Sequence, residues 1–367
     1  MDSTLLPSEQ STVLASFGLD DDLGISFIMA GYFIPHPREG VAMQMQTEFT
    51  LDDLRDAPDL EALTERVGTK GLTPGWLPRD RPILRFAPTT PYRTQHWKWT
   101  DAKAGMDGAA RLIGTDLAER RNLVMRNSFE GNEFASLRTL VSAYQTILPG
   151  EAARSHRHAP HAFRVILDSH GAWSCVNGEK HPMETGDIVL TPGWCWHGHG
   201  HEGTDQAYWF DGLDVPLVDL LESMFFEEHP AGMEPIQRVT PDSPFRFTWE
   251  WQQRMLDQTP EDPDGIFGRR ISIDTSTMPT MAIHVQRWKS GFVSRAHRST
   301  ANQMFLVMQG HGTTTIDNKV IEWSFGDTFA VPTWKKVVHH AKDDAVLVSQ
   351  SDEPLQRFCK YWRFETL

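Results

Sequence analysis

The sequence is poor in the features that mark several classes of protein. It has three cysteines (Cys175, Cys195 and Cys359), an odd and low number that cannot build a disulfide framework and that favours a cytoplasmic protein. Its 35 basic residues face 49 acidic ones, a net charge of −14, so we expect neither nucleic acid nor a membrane surface as a partner. No apolar run approaches the roughly 20 residues of a membrane-spanning helix, and the N-terminus shows no signal peptide.

The chain changes character along its length. Residues 1–115 look irregular and partly helical, with apolar spacing between Leu51 and Val67 that predicts short amphipathic helices broken at Pro58. Residues 217–227 look helical, residues 228–270 resemble a connector, and strand patterns return after Ile271. Alternating and β-branched runs predict strands at 137–148, 163–167, 172–176, 188–191 and 207–210, with a hairpin turn at Asn177-Gly178. Strands of this length and spacing indicate an antiparallel sandwich or barrel.

The two strand-rich regions resemble each other. His297 lies 141 residues after His156, and Pro332 lies 140 residues after Pro192. Glycines follow the same offsets, Gly312 after Gly171 and Gly326 after Gly186. A near-constant offset predicts two copies of one β-unit in a single chain.

Three histidines of the first copy form a candidate metal site. His156 and His158 are two residues apart on a predicted strand, so their imidazoles share one face. Neutral imidazole is the commonest ligand of divalent transition metals, and His197, just after another strand, is the candidate for the third ligand. Three protein ligands leave coordination positions open, which a structural zinc site does not.

These motifs resemble those of the cupins. Gly150-x5-His156-x-His158, and Gly186-x5-Pro192-x-Trp194-x2-His197, are similar to the two cupin motifs, although cupins usually have Gly in place of Trp194. Arg164 stands where many cupins have a Glu ligand, and a guanidinium there suggests recognition of a substrate carboxylate.

The resemblance implies an all-β bicupin, with two antiparallel jelly-roll barrels and an N-terminal arm that is partly helical. The implied domains are the arm (1–115), a cupin domain with the metal site (116–217), a helical or irregular connector (218–270) and a second cupin domain with a degenerate metal site (271–367).

A narrower resemblance rests on three segments, 155–164, 190–199 and 209–216. They are similar to the gentisate 1,2-dioxygenase group, which includes the salicylate and 1-hydroxy-2-naphthoate ring-cleaving enzymes of aromatic compound degradation. The resemblance implies that His156, His158 and His197 hold Fe(II), that the substrates are a small aromatic acid and O₂, and that the protein is a homotetramer. The ring would open between the carboxyl-bearing and hydroxyl-bearing carbons.

The same resemblance assigns roles around the metal. Arg164, Arg120 and Gln145 would bind the substrate carboxylate, His199 would handle the phenolic proton or bound oxygen, and Asp211 would contact a second ring hydroxyl. Each also has a simpler interpretation: Asp211 as a turn residue, Arg120 with Arg121 as a surface pair, Gln145 as a structural strand residue.

His161 departs from the group and is also left open. It could add a donor to a ring substituent or could point outward.

The second copy lacks most of this ligand set. Ser299 stands in place of His158 and Val337 in place of His197, and we expect His339 and His340 to be out of phase with a ligand position. The sequence therefore predicts no functional iron there.

Gentisate is the first substrate hypothesis, followed by salicylate, nitro- or chloro-substituted salicylate and 1-hydroxy-2-naphthoate. Two other interpretations stay open: a non-catalytic bicupin that binds a carboxylate, and a cupin isomerase or decarboxylase that uses zinc or manganese.

Overall fold

The computed structural model describes residues 49–77, 83–114 and 120–367. The chain divides into two compact units, Met1–Ile83 and Leu84–Leu367. In the described ranges no helix is long and apolar enough to cross a membrane. The helices there are α1 (Leu51–Arg55), α2 (Leu60–Thr69), α3 (Trp99–Leu112), α4 (Val215–Leu220), α5 (Trp249–Gln258) and α6 (Glu353–Phe358).

In the first unit, the predicted helix break at Pro58 is confirmed. Helix α1 begins after Thr50, whose side chain and that of Asp53 form a reciprocal capping box. Helix α2 begins after Asp59, whose carboxylate accepts a hydrogen bond from the Ala62 amide. Pro58 lies between the two helices, where it lacks the amide hydrogen that a continuous helix needs.

The second unit is built almost entirely of strands. In its first half they are β1 (Gln95–Trp97), β2 (Arg121–Val124), β3 (Val141–Ile147), β4 (Ala152–His158), β5 (Ala162–Asp168), β6 (Ala172–Val176), β7 (Glu179–Pro182), β8 (Ile188–Thr191), β9 (His197–His201), β10 (Ala207–Leu213), β11 (Phe226–Glu228), β12 (Arg238–Val239) and β13 (Arg246–Phe247). In its second half they are β14 (Arg269–Ser272), β15 (Ala282–Trp288), β16 (His297–Ser299), β17 (Gln303–Gln309), β18 (Gly312–Ile316), β19 (Lys319–Trp323), β20 (Thr328–Val331), β21 (Val337–Ala341), β22 (Ala345–Ser351) and β23 (Phe364–Thr366).

These strands form two similar pairs of sheets. The first β-unit joins the sheet β13-β8-β5-β10-β3-β2 to the sheet β11-β4-β9-β6-β7-β12. The second β-unit joins β1-β20-β17-β22-β15-β14 to β19-β18-β21-β16-β23. Every pairing except that of β12 with β7 is antiparallel, and the chain has the mainly β, doubled cupin fold that the sequence predicts. The domain boundaries given above remain a prediction.

Alternation along each strand decides what lies inside the first β-unit. Its apolar interior is a cluster of side chains from both sheets: Ile147, Ile166, Ala172, Met183, Val189, Ala207 and Trp209. Residues two positions away on the same strands face the same interior, because side chains alternate. The opposite face of the β10 sheet packs, with Tyr144 and Phe210, against Ile283 and Val348 of the second β-unit.

The repeat predicted from sequence offsets is confirmed at the level of strand register. His156 pairs with His197 in the first β-unit, and His297 pairs with Val337 in the second. The hairpin at Asn177-Gly178 is also confirmed, since it joins β6 to β7 with both residues in the left-handed region.

Two predictions about secondary structure are wrong. The helix expected over residues 217–227 is the short α4, and residues 226–228 are strand β11, paired with β4. Glu222 has a φ of 56°, which ends the helix, and β11 covers backbone groups of β4 that would otherwise form an open edge. The strand expected over 137–148 begins only at Val141, because Leu137 and Leu140 close a tight turn.

Candidate metal centre

Two adjacent strands bring the three predicted ligands together. His156 and His158 lie on β4, and His197 begins β9 directly beside them. One nitrogen of each imidazole lies within 4.8 Å of the other two. The β4–β9 pairing carries a β-bulge between Ala153 and His156, a device that re-aims side chains next to functional sites.

Backbone carbonyls hold one nitrogen of two of the three rings. Nδ1 of His158 lies 2.7 Å from the Pro160 carbonyl oxygen, and Nδ1 of His197 lies 3.0 Å from that of Cys195. His156 differs, because its Nδ1 lies 3.3 Å from the Arg154 carbonyl oxygen but 2.5 Å from Nη2 of Arg120, which can only donate. A carbonyl accepts a hydrogen bond, so in His158 and His197 it keeps the proton on Nδ1 and leaves the Nε2 lone pair for a metal.

The protonation of the rings suits a metal. Burial, with the neighbouring Arg120 charge, lowers the pKa of His156 to about 2, and burial lowers the pKa of His158 to about 4. Burial also holds the pKa of His197 well below its ordinary value. Its Nε2 is buried and has no hydrogen-bond partner among the described residues. Buried polar atoms are rarely left unsatisfied, so this donor set fits a transition metal ion.

Two neighbours contact the first ligand. Phe226 of β11 stacks on the ring of His156, with ring centroids 5.2 Å apart. Arg120 places Nη1 2.8 Å from Nε2 of the same histidine. Arg120 must therefore shift if His156 binds a metal through Nε2. The interpretation of Arg120 and Arg121 as a surface pair is wrong, because Arg121 is buried and pairs with Glu151 through both carboxylate oxygens at 2.6 Å.

A buried ion pair lies on the opposite sheet. Arg164 of β5 and Asp211 of β10 are directly paired across the strands, and Arg164 Nε lies 3.2 Å from Asp211 Oδ1. Arg164 Nη1 also donates to the Thr191 hydroxyl at 2.7 Å, and Asp211 Oδ2 accepts from the Trp209 indole at 3.1 Å. Burial raises the pKa of Asp211 while the Arg164 charge opposes that rise. Asp211 is thus a strand residue facing the interior, and its interpretation as a turn residue is wrong.

Gln145 and His199 also face this interior. Gln145 of β3 is buried opposite Trp209. His199 of β9 is buried, with its ring centroid 6.0 Å from that of His197 and 5.9 Å from Trp209. Neither ring nitrogen of His199 has a hydrogen-bond partner within the described ranges.

His161 lies to one side of this interior. Its Nδ1 accepts a hydrogen bond from the Gly193 amide at 2.8 Å, so Nε2 carries the proton. It lines a surface groove of about 530 Å³ with Trp194, Phe225 and Glu227. The sequence left open whether His161 donates to a ring substituent or points outward, and its role stays a prediction.

Comparison with known proteins identifies chains that are similar to this one. Residues 143–215 match the family model "Cupin domain". The chain is 32% identical to gentisate 1,2 dioxygenase 1 of Aquipseudomonas alcaligenes over 73% of this chain and 85% of that one. It is 30% identical to 5-aminosalicylate 1,2-dioxygenase of a Comamonas species, over 83% and 90% of the two chains.

A solved structure shows the same architecture. The salicylate 1,2-dioxygenase of Pseudoaminobacter salicylatoxidans, solved as adducts with gentisate, superposes with a TM-score of 0.74 at 25% identity, over 90% of this chain and 98% of that one. This chain belongs to the gentisate, salicylate and 1-hydroxy-2-naphthoate 1,2-dioxygenase family. Like the rest of the family, it is a ring-cleaving 1,2-dioxygenase.

Among the described residues of this dioxygenase, the one histidine cluster that could hold a metal ion lies in its first β-unit. In the second β-unit, His297 has Ser299 and Val337 at the other two ligand positions. The expectation that His339 is out of phase is wrong, because it lies two residues after Val337 and is buried on the same face. It is satisfied there by the Thr314 hydroxyl, 2.9 Å from its Nδ1, and His340 is exposed.

Trp194, which stands where the cupin motif usually has glycine, adopts a backbone conformation typical of glycine. Trp194 has a φ of 67°, in the left-handed region that a glycine adopts more easily. Its amide donates to the His158 carbonyl at 2.8 Å, and the Arg157 guanidinium lies 4.5 Å from the Trp194 and Trp196 ring centroids. These contacts hold the turn that leads to the third ligand.

Sequence analysis missed one buried polar group of the site. His181 of β7 and Ser174 of β6 are paired neighbours that face the interior beside His199. The available signal in the sequence was a histidine that lies two residues from an apolar core residue. Such a histidine shares the interior face of the strand. His181 stands alone in its strand, so no spacing motif drew attention to it.

Proposed function

We propose that this protein is an Fe(II)-dependent dioxygenase that opens the ring of an ortho-hydroxy aromatic carboxylic acid between its carboxyl-bearing and hydroxyl-bearing carbons. Gentisate is the first candidate substrate, with salicylate, nitro- or chloro-substituted salicylate and 1-hydroxy-2-naphthoate as alternatives. The observation that carries the proposal is a buried three-histidine cluster facing a buried Arg164–Asp211 pair inside one β-unit.

His156, His158 and His197 would hold the iron through their Nε2 atoms. Ferrous iron, when bound, supplies a Lewis acid that lowers the pKa of a phenolic hydroxyl, and a redox centre for O₂. Three protein ligands leave room for the substrate and for O₂, as in other catalytic sites with open positions. His156 and His197 are buried and His158 is half-buried, which limits the access of bulk water to the reaction.

Arg164 and Arg120 would bind the substrate carboxylate. Arg164 is buried and carries a fixed positive charge, so its guanidinium can pair with an anion. Asp211 stands beside it and would fix the direction of the guanidinium. Gln145, on the neighbouring strand, would add an amide contact, and Arg120 would turn from His156 toward the acid.

His199 would receive the phenolic proton at a ring nitrogen. The ring is neutral, because burial, followed by the Arg164 and Arg120 charges, holds the pKa of His199 well below its ordinary value. A neutral imidazole that has no partner in the described part of the chain can accept a hydrogen bond from a substrate hydroxyl. Asp211 Oδ1 is likewise placed to accept from a second ring hydroxyl.

Oxygen uptake tests this function. The protein is reconstituted anaerobically with Fe(II) and mixed with gentisate, salicylate, 5-nitrosalicylate, 5-chlorosalicylate or 1-hydroxy-2-naphthoate. We expect one O₂ to be consumed per molecule of at least one acid, with both atoms of ¹⁸O₂ in the product. Benzoate, which lacks the ortho hydroxyl, is the control and should consume none. Stoichiometric iron without oxygen uptake for any of these acids would contradict the proposal.

We also propose that the protein is a homotetramer, as the resemblance to the family suggests. Sedimentation of the reconstituted protein would measure its mass directly, and a monomer of 41.7 kDa would contradict it.

A further inference from the structure

A row of polar side chains crosses the interior of the first β-unit. His199, Ser174 and His181 are direct cross-strand partners on β9, β6 and β7, and all three are buried. Adjacent strands are about 4.8 Å apart, so the row leads about 10 Å away from the ligand strand β9. It ends at His181, whose side chain is fully buried.

The polar atoms of this row are unsatisfied. The Ser174 hydroxyl and both ring nitrogens of His181 have no well-aligned hydrogen bond to any described residue; the Glu179 backbone lies near the His181 ring and raises its pKa without meeting hydrogen-bond geometry. Leaving such buried groups unpaired is costly, so native proteins pair them with protein, water or ligand. Burial, with the nearby Arg246 charge, lowers the pKa of His181 to about 4, so its ring is neutral and offers one donor and one acceptor.

The second β-unit shows how the same row looks when it is only structural. Thr314 takes the place of Ser174, His339 that of His199 and Ile321 that of His181. There the Thr314 hydroxyl contacts His339 Nδ1 at 2.9 Å and accepts from the Trp323 indole at 3.0 Å. The polar atoms of the row are paired in the β-unit that lacks the three histidines, and they are unpaired in the β-unit that has them.

The geometry points to a substrate subsite: we propose that His181 and Ser174, in addition to Asp211, bind a hydroxyl or amino substituent on the ring of the aromatic acid. This deepens the proposed function and rests on it. A hydroxyl or amino group both donates and accepts, as His181 and Ser174 do, whereas hydrogen or chlorine would leave these buried groups unpaired. His181 is then a specificity residue for a substituent remote from the carboxylate that Arg164 binds.

The variant His181→Ile tests the subsite, because it copies the second β-unit, where a buried isoleucine occupies this position. Binding of gentisate, 5-aminosalicylate and salicylate is titrated anaerobically on the metal-loaded protein. We expect the preference for gentisate or 5-aminosalicylate over salicylate to fall about tenfold, the value of one hydrogen bond. Salicylate affinity should change less than twofold, and His181→Gln, which keeps a donor and an acceptor, should restore part of the preference.

Controls separate this effect from a general disturbance. Met183→Leu changes an apolar interior residue on the same face of the chain and should leave the ratio of affinities unchanged. Metal content and thermal midpoint are measured for every variant. An unchanged ratio in a folded, metal-loaded His181→Ile protein would overturn the inference, as would loss of the preference only in Asp211→Asn.

The outcome is independent of turnover. If the unaltered protein binds these acids but consumes no oxygen with any of them, the proposed function fails while the binding ratio still decides the role of His181. If it consumes oxygen and the ratio is unchanged, only the subsite is wrong.

Discussion

At the scale of single residues, the metal site depends on which nitrogen of each imidazole is free. The carbonyls of Pro160 and Cys195 hold Nδ1 of His158 and His197, so Nε2 is the donor in both. The free nitrogens meet because two ligands share one strand and the third begins the next.

His158→Ala should therefore abolish metal binding while the fold survives. The variant removes one of three protein ligands. The two histidines that remain cannot occupy three coordination positions on one face of a metal ion. Metal content is measured by mass spectrometry after reconstitution and the fold by circular dichroism. Retention of one ion per chain at full occupancy would contradict the ligand set.

Arg164→Gln should weaken binding of the aromatic acid far more than it slows the bound reaction. The loss of one charge-assisted bidentate contact costs roughly 2–4 kcal/mol, which is a rise in KM of about 30- to 1000-fold. Glutamine keeps a polar side chain beside Thr191 and Asp211, so the interior is not emptied. Steady-state oxygen uptake gives KM and kcat separately, and an unchanged KM would remove Arg164 from the carboxylate site.

His181 makes stability depend on pH. Its pKa falls to about 4 in the folded chain, against an ordinary value of about 6.5, so between these values the unfolded chain binds more protons. The free energy of unfolding must then decrease as the pH falls from 6.5 toward 4, by ~3 kcal/mol for this group. In metal-free protein, urea unfolding at pH 7 and pH 4.5 should show a smaller difference for His181→Ile than for the unaltered chain. Equal differences would show that His181 gains no proton on unfolding.

At the scale of elements, the turn before β9 sets the position of the third ligand. Gly193 precedes Trp194, and a Cβ added at Gly193 would lie 2.4 Å from the Ala159 carbonyl oxygen. The Gly193 amide also donates to His161. This turn packs against the end of β4, so it holds that end of β4 next to the start of β9.

Gly193→Ala should consequently cost stability and metal affinity together. Backbone must move to admit the methyl group, and overpacking of this kind costs about 1–3 kcal/mol. Gly108→Ala is the matched control, because nothing lies within 4 Å of its added Cβ and alanine favours the α3 helix by roughly 0.5–1 kcal/mol. Thermal unfolding with and without metal measures both. A Gly193→Ala protein as stable as the control would contradict this expectation, because it would show that the turn admits the methyl group without loss of stability.

The elements that sequence could predict are those whose signal is local or repeated. The two-residue spacing of His156 and His158 and the 140-residue offset to Val337 were enough to predict that the three histidines lie together and that the two β-units share a strand register. The pairing of β11 with β4 could not be predicted, because it joins residues about 70 apart in the sequence through backbone hydrogen bonds. Such hydrogen bonds do not depend on the identity of the side chains. His181 was missed for a similar reason, since its importance comes from strands β6 and β9 beside it.

At the scale of the whole molecule, the two β-units are joined by the outer faces of the sheet that contains β3 and β10 and the sheet that contains β15 and β22. Tyr144 of the first donates its hydroxyl to the Gly326 carbonyl at 2.6 Å in the second. Thr280 donates to Asp214 at 2.6 Å in the reverse direction. The second β-unit thereby supports the back of the sheet that carries Arg164 and Asp211, while its own interior is filled by aromatic and aliphatic side chains.

Because the three histidines lie in the first β-unit and the interior of the second is filled, we expect one metal ion per chain. His297 keeps the local geometry of a ligand, with Nδ1 3.0 Å from the Arg295 carbonyl and Phe364 stacked 5.7 Å from its ring, as Phe226 is on His156. Val337 and Ser299 cannot complete the set, because valine has no donor atom and a neutral hydroxyl is a weak ligand beside imidazole. His297→Ala should therefore retain the full metal content of the unaltered protein, whereas His158→Ala loses it. Two ions per chain, or loss of metal in His297→Ala, would place a second centre in the second β-unit.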